Sequence, residues 1–135
     1  MSNMLLHHVS IVVCDLDVSV PFYIEVFGLP RLQRPPFKVD GAWVGAGDRQ
    51  VHLLKWPNGT FRTNPNIDVY DNHFAFRTTD FDGAVQRLVG LGFREDLPDG
   101  DSKKLLVNRK GLAGFDQLYL LDPDLNIIEI NNAPM

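Results

Sequence analysis

An internal repeat constrains the fold of this chain more than any other feature. Residues 8–20, HVSIVVCDLDVSV, align with residues 73–85, HFAFRTTDFDGAV, and His8 falls on His73. A repeated unit that is too small to cover its own sheet must pack against its copy. The repeat therefore predicts one domain built from two similar modules.

Each copy has the sequence pattern of a strand, an Asp-containing turn and a helix, followed by three further strands. Helices are predicted over residues 18–26 and 83–89, because aspartates precede both segments and glycines follow them. The candidate N-caps are Asp15, Asp17, Asp80 and Asp82, and the candidate C-caps are Gly28 and Gly92. The candidates for the later strands are RLQRP, GAWVGAG and RQVHLLKW in the first copy, and the second copy offers four candidates for its three strands, REDL, KKLLVNR, DQLYLLD and NIIEINN. The pattern predicts an α+β protein of two βαβββ modules, about residues 5–56 and 71–132, within a single domain over 1–135.

Composition narrows the classes of partner. The 135 residues carry a net charge of −4, which argues against nucleic acid or an anionic membrane surface as the main partner. No apolar run approaches the length of a membrane-spanning segment. The single cysteine, Cys14, excludes an intrachain disulfide framework and is typical of a reducing cytoplasm. We therefore expect a cytoplasmic protein whose partner is a small-molecule substrate.

The first strand contains two adjacent histidines, and strand alternation separates them. Val9, Ile11 and Val13 share a face with His7, and this uniformly apolar face is expected to lie under a helix. His8 lies on the opposite face, as His73 does in the second copy. The alternation predicts that His8 and His73 line a cavity, whereas His7 is structural and does not share their environment.

Two further polar residues interrupt apolar strands. His52 lies within VHLLKW, and Glu129 lies between Ile128 and Ile130. A buried carboxylate is costly without a cationic partner. One strand histidine is more often a hydrogen-bonded core residue than a ligand, and Glu129 alone could lie on an edge strand. Four such residues at matching places in two copies instead favour a metal site.

Three imidazoles and one carboxylate suit one divalent ion of zinc, nickel, cobalt, manganese or iron. The predicted ligands are His8, His52, His73 and Glu129, and the open coordination positions are typical of a catalytic site. Glu129 is the first candidate for moving a proton, and His52 is the second.

Four other residues are candidates for binding substrate. Arg77 shares the face of His73 and could pair with a substrate carboxylate or phosphate, or equally form a salt bridge at the rim. Gln117 and Tyr119 alternate inward on the seventh strand, where a dimer interface is an equal alternative. Trp56 lies on the His52 face if that strand continues, and capping the core is the favoured alternative.

These residues resemble the vicinal oxygen chelate superfamily, which includes glyoxalase I, bleomycin resistance proteins, fosfomycin resistance proteins and extradiol dioxygenases. The resemblance is carried by HHVSIVVCDLDVSVPFYIEVFGLP, VHLLKW, NHFAFRTTDFDGAVQRLVGLGF and LLDPDLNIIEI. The last segment is similar to the family's DPDGxxIE signature, with Leu125 in the glycine place. The resemblance implies a cupped sheet around a divalent metal, usually in a homodimer, with ligands at His8, His52, His73 and Glu129.

The resemblance leaves several functions open. A glyoxalase-like lyase or isomerase is placed first, an extradiol-type dioxygenase second and a fosfomycin-type thiol transferase third. His52 stands where the resemblance places a glutamate of glyoxalase I. If His8, His73 and Glu129 are the ligands, as in fosfomycin-type transferases and extradiol dioxygenases, His52 is either an extra ligand or an acid/base residue that contacts the ligands. The alternatives from other classes are a metal-free protein that sequesters a drug or metabolite, and a structural or regulatory metal module.

Overall fold

The computed structural model describes residues 2–135, and these form two compact units, residues 2–60 and Phe61–Met135. Each unit holds one copy of the repeat, and we call them module one and module two. Module one contains β1 (His8–Val13), α1 (Leu16–Phe27), β2 (Arg31–Leu32), β3 (Gly41–Ala46) and β4 (Arg49–Lys55). Module two contains β5 (His73–Arg77), α2 (Phe81–Gly90), β6 (Leu106–Asn108), β7 (Gln117–Leu121) and β8 (Ile127–Asn131). The predicted α+β class and the βαβββ order of each module are confirmed.

The two sheets have the same topology. Module one has the strand order β1-β4-β3-β2, and module two has the order β5-β8-β7-β6. In each sheet the first strand pairs in parallel with the last, and the remaining pairs are antiparallel. The parallel pair needs a crossover, which the helix provides. The polar strand residues of each module consequently lie on two neighbouring strands, the edge strand that begins the module and the central strand paired with it.

Sequence alternation gives each sheet an apolar face and a polar face. In module one, Val13, Val44 and Leu53 are buried on the apolar face, and α1 packs against β3 and β4. In module two, Leu118, Leu120, Ile128 and Ile130 are buried on the corresponding face. The opposite faces carry the histidines and Glu129, as the alternation of the strands requires.

Local capping explains where the helices begin and end. The Asp15 carboxylate accepts a hydrogen bond from the Asp17 backbone N–H at 2.9 Å, and the Asp80 carboxylate accepts one from Gly83 N–H at 2.9 Å. Asp15 and Asp80 are thus the N-caps, and both helices begin two residues earlier than predicted. Gly28 caps the end of α1.

A Schellman motif ends α2. The N–H of Gly92 donates to Val89 O and that of Phe93 to Leu88 O, both at 3.0 Å. Gly92 has a φ of 96°, a left-handed conformation that glycine adopts without a steric penalty. The predicted glycine C-cap is therefore found one residue beyond the cap residue, Leu91.

The segment REDL, which was predicted as a strand, is not one. Only a single bridge, between Arg94 and Lys104, forms there, and β6 covers just Leu106–Asn108. Most side chains of residues 94–104 are exposed, so little apolar burial offsets the entropy of ordering another strand.

The DPDL turn before β8 is held by one buried carboxylate. Asp122 accepts hydrogen bonds from the backbone N–H groups of Asp124 and Asn126, and from the Asn126 side chain at 2.9 Å. Leu125 adopts a φ of 67°, where the family signature has glycine, and it packs against the cluster of Tyr119, Leu121 and Ile127.

Among residues 2–135, no helix has the length and apolarity needed to cross a bilayer.

Candidate metal centre

Module two surrounds a buried carboxylate with polar groups. Glu129, only 6% exposed on β8, faces Ala75 on one side and Tyr119 on the other. Asn131 Nδ2 donates to Glu129 Oε2 at 2.5 Å, and Gln117 Nε2 lies 3.4 Å from Oε1. Within residues 2–135, no lysine or arginine forms an ion pair with this carboxylate. Its negative charge is therefore solvated by neutral dipoles and by one imidazole.

That imidazole belongs to His73, and its hydrogen bonding indicates which nitrogen faces Glu129. His73 Nδ1 lies 2.8 Å from the Asp71 carbonyl oxygen, which can only accept, so Nδ1 carries a proton and donates it. His73 Nε2 lies 3.5 Å from Glu129 Oε1. In the neutral ring, the Nε2 lone pair and the carboxylate face each other, and a cation between them would remove their repulsion.

Tyr119 adds a hydroxyl to this cluster. Burial, followed by a hydrogen bond to Glu129 and the charge of that carboxylate, raises the pKa of Tyr119 to about 12. Its hydroxyl also accepts a hydrogen bond from Gln117 Nε2 at 3.1 Å. Tyr119 is therefore a protonated donor at neutral pH.

Module one brings three imidazoles together. The rings of His8 and His52 are stacked, with centroids 3.9 Å apart and planes 16° from parallel. Trp43 stacks on the other side of His52, with a centroid separation of 4.4 Å. His7 joins this cluster, because its Nδ1 lies 2.9 Å from His8 Nδ1 and its ring centroid lies 6.5 Å from that of His52.

The prediction that His7 has a different environment from His8 is wrong. β1 begins at His8, so His7 lies before the strand and is not held to the alternation. His7 keeps one backbone contact to the sheet, its carbonyl accepting from Gln50 N–H at 3.1 Å, and its side chain turns toward His8. His7 is therefore in direct contact with a predicted ligand.

His52 is neutral over the whole physiological range. Burial, then the nearby charges of His8, His7 and Arg34, lowers the pKa of His52 to about 4. Its Nε2 lies 2.8 Å from Gln50 Oε1, which accepts the ring N–H and leaves Nδ1 unprotonated. A base with so low a pKa takes up protons poorly at pH 7, which weighs against His52 as a proton carrier.

The donor set suits a divalent ion, but each module supplies only part of it. Two ligands at adjacent positions of one ion lie about 3 Å apart, so the 3.5 Å between His73 Nε2 and Glu129 Oε1 needs little adjustment. The stacked rings of His8 and His52 direct their in-plane lone pairs along parallel planes, so one ion cannot bind both in this arrangement. Across residues 2–135 as described, no group of three or more His, Cys, Asp or Glu side chains is positioned to hold a metal ion.

The predicted substrate-binding residues have mixed placements. Gln117 and Tyr119 point inward and contact Glu129 or each other. Arg77 lies on the His73 face, where its Nε donates to the carbonyl of Ala133. Trp56 lies beyond the end of β4 and is 44% exposed. Its carbonyl accepts a hydrogen bond from the backbone N–H of Gly59, which forms a turn. The strand therefore does not continue to Trp56, and the roles of all four residues stay predictions.

Sequence reasoning missed three contributors to the module-one cluster. They are His7, Gln50 and Trp43, which lie around His8 and His52. Trp43 and His52 form a cross-strand pair on β3 and β4, so strand pairing was the signal that could have identified Trp43.

The two repeated sheets, each with a pair of histidine or glutamate side chains on neighbouring strands, define a duplicated βαβββ protein. The family model described as Glyoxalase/Bleomycin resistance protein/Dioxygenase superfamily matches residues 5–130, and the chain belongs to that superfamily. "Glyoxylase I 4" of Arabidopsis thaliana is 31% identical over 130 residues, covering 95% of this chain and 70% of the relative.

Solved structures agree with the fold. A glyoxalase family protein from Bacillus anthracis superposes with a TM-score of 0.75 at 20% identity, covering 99% of this chain and 100% of its own. Lactoylglutathione lyase from Agrobacterium tumefaciens superposes with a TM-score of 0.67 at 21% identity, and the match covers 98% of this chain and 96% of the lyase chain.

Proposed function

We propose that this protein is a divalent-metal-dependent enzyme that acts on a small substrate with vicinal oxygens, as a glyoxalase-like lyase or isomerase. The observation that carries the proposal is the buried Glu129 carboxylate, which pairs with no lysine or arginine within residues 2–135 and lies 3.5 Å from His73 Nε2, the ring nitrogen opposite the one that donates to Asp71. The relative "Glyoxylase I 4" supports the choice of reaction class.

Three side chains are the proposed ligands: His8, His73 and Glu129. Two imidazoles and one carboxylate leave open positions for substrate oxygens on zinc, nickel, cobalt, manganese or iron. His52 is given a supporting role, because its ring stacks on that of His8 and its Nε2 is bonded to Gln50. In this role His52 limits the rotation of the His8 ring.

The chain's own residues supply the proton chemistry. The bound ion would act as a Lewis acid on two neighbouring substrate oxygens. Glu129 is the proposed proton carrier, since its carboxylate lies at the centre of the cluster. Tyr119 holds its proton and donates to Glu129, while Asn131 holds the second carboxylate oxygen in place. Together they fix the direction in which Glu129 can take up a proton.

The ligands of one centre are proposed to come from two copies of the chain in a homodimer. Module one supplies His8, and module two supplies His73 and Glu129, so neither module carries the whole set. A mixed dimer tests this arrangement. One copy would carry His8→Ala and the other His73→Ala with Glu129→Gln.

If the centres form across copies, this mixed dimer keeps one complete centre, formed by module one of the second copy and module two of the first. It should bind one ion per dimer, while each parent homodimer binds none. Binding of no ion by the mixed dimer would refute the arrangement across copies.

We also propose a cytoplasmic location, because a single cysteine is typical of proteins in a reducing compartment.

Titration calorimetry with each candidate ion tests the metal dependence itself. His73→Ala and Glu129→Gln should each weaken binding by a factor of about 100 or more, because each removes a ligand. Glu95→Gln is the matched control, since Glu95 is an exposed carboxylate that pairs with Arg109 on the surface. Unchanged affinity in both ligand variants would refute the proposed centre. If the wild-type protein instead takes up no ion but binds small organic molecules, a sequestering protein becomes the better description.

A further inference from the structure

The His8 ring is held by a second contact besides its stacking, and this contact comes from the residue before it. The stacking of His52 on His8, with centroids 3.9 Å apart, fixes the plane of the His8 ring. A ring held in that plane can still turn over by a half-rotation, which exchanges the positions of its nitrogen and carbon atoms. The His7 ring distinguishes these two orientations, because its Nδ1 lies 2.9 Å from His8 Nδ1 and a carbon in that place could not form the hydrogen bond.

The two facing nitrogens share a single proton. Two N–H groups cannot face each other at 2.9 Å, so one Nδ1 donates and the other accepts. The rings lie at 89° to each other with centroids 5.2 Å apart, so they meet edge-on and do not stack. If His8 donates, its Nε2 is unprotonated and can bind a metal ion. If His7 donates, His8 keeps its proton on Nε2 and that nitrogen cannot bind one.

Module two has the corresponding arrangement around the histidine that matches His8 in the repeat. His73 Nδ1 donates to the Asp71 carbonyl oxygen at 2.8 Å, and His73 Nε2 faces Glu129. In module one, the acceptor beside the histidine is a neighbouring ring nitrogen instead of a carbonyl oxygen. A histidine that binds a metal almost always donates its other ring N–H to a fixed acceptor. The repeat therefore favours His8 as the donor, because both copies then present Nε2 to the ion.

We propose that His7 is a positioning residue, whose Nδ1 accepts the Nδ1–H of His8 and so holds the His8 ring with Nε2 free for the metal ion. His7 itself does not bind the ion. The inference rests on the proposed function in taking His8 as a ligand. Coordination through Nε2 makes the His8 ring more positive and its N–H a stronger donor, so the bond to His7 strengthens when the ion is bound. This strengthening adds to the free energy of metal binding, although both side chains are exposed and the bond contributes little without the ion.

Long-range proton–nitrogen NMR of the imidazole rings tests the hydrogen bond in the metal-free protein, with a chelator present, at about pH 8, where exposed histidines are neutral. The His8 signals are identified by their absence from His8→Gln. In the wild-type protein, His8 should carry its proton on Nδ1. His7→Asn should keep this form, because the amide oxygen can accept in place of the ring nitrogen, and Asn72 occupies this place in the second copy. His7→Leu, which is similar in size to asparagine but has no acceptor, should shift His8 toward the form protonated on Nε2.

Titration calorimetry with zinc measures the consequence for metal binding. His7→Leu should weaken zinc binding by about 10- to 100-fold, the usual cost of losing a group that orients a ligand. His7→Asn should restore most of the wild-type affinity. Leu6→Ala is the matched control and should leave the affinity unchanged, because Leu6 lies just before His7 and its side chain is exposed.

A His8 ring protonated on Nε2 in the wild-type protein would overturn the proposal, and so would equal zinc affinity in the wild-type protein and His7→Leu. Equal results for His7→Asn and His7→Leu would also overturn it, since the accepting atom would then have no effect. A wild-type protein that binds no zinc but keeps the proton of His8 on Nδ1 would contradict the proposed function and preserve the role of His7 in setting the ring.

Discussion

Lowering the pH from 7 to 5 should destabilise the protein through His52. This residue is 9% exposed and stacked between His8 and Trp43, and its pKa is about 4 in the folded protein. In the unfolded chain a histidine titrates at about 6.5. Between these two values the unfolded state takes up a proton that the folded state does not. The contribution of neutral, buried His52 to the free energy of unfolding is therefore complete above pH 6.5 and is lost as the pH falls toward 4.

The size of the effect follows from the two pKa values. A difference of about 2.5 pKa units corresponds to about 3 kcal/mol over the whole range. Between pH 7 and pH 5 the unfolded-state ring is almost fully titrated and the folded-state ring barely so. The expected loss of unfolding free energy over this interval is about 2 kcal/mol.

Urea unfolding at pH 7 and pH 5, with a chelator present, measures this loss. His52→Gln is the comparison, because subtracting its pH dependence removes the carboxylates that titrate in the same range. The wild-type protein should lose about 2 kcal/mol more than His52→Gln does. An NMR titration of the His52 ring should give a midpoint near 4. A midpoint near 6.5, or equal pH dependence in the two proteins, would refute the reasoning.

Three further substitutions have expected outcomes. Glu129→Gln should lower the stability of the chelated protein by about 1 kcal/mol, measured by urea unfolding, because an amide accepts through one oxygen only and leaves a donor from Asn131, Gln117 or Tyr119 unpaired; a stabilised variant would contradict this. Asp80→Ala should lower the unfolding free energy by about 1 kcal/mol through loss of the α2 N-cap, whereas Asp82→Ala should change it by less than about half of that. Arg62→Ala should speed amide hydrogen exchange in residues 63–71, because Arg62 bonds to Asp71 Oδ2 and to the carbonyls of Asn64, Asn66 and Leu125; unchanged exchange would show that other contacts order this loop.

The elements that could be predicted are those governed by local rules. The N-caps Asp15 and Asp80 were among four candidates, with Asp17 and Asp82, because capping depends on a few neighbouring residues; the structure selects the first aspartate of each pair. Alternation correctly placed His8 and His73 on the polar faces of their strands. It also placed Glu129 and Tyr119 on one shared face, because both sheets bury their other face. The rule failed for His7, which lies outside the paired strand.

Other features depend on contacts between residues that are distant along the chain. Arg34 lies in a proline-containing loop without periodicity, so its unpaired Nε and its approach to Gly41 become visible only in the fold. The stacking of His52 between two rings likewise depends on strand register. The repeat predicts matching ligand positions, but not the stacking of the His8 and His52 rings, which keeps one ion from binding both.

X-ray absorption of the zinc-loaded protein tests the central claim, that His8, His73 and Glu129 bind one ion. The account predicts a first shell of nitrogen and oxygen at about 2.0–2.2 Å, with outer scattering from two imidazoles. In His52→Gln the two-imidazole signal should persist, and in His73→Ala it should be lost. A spectrum without imidazole scattering, or one unchanged by His73→Ala, would contradict the account.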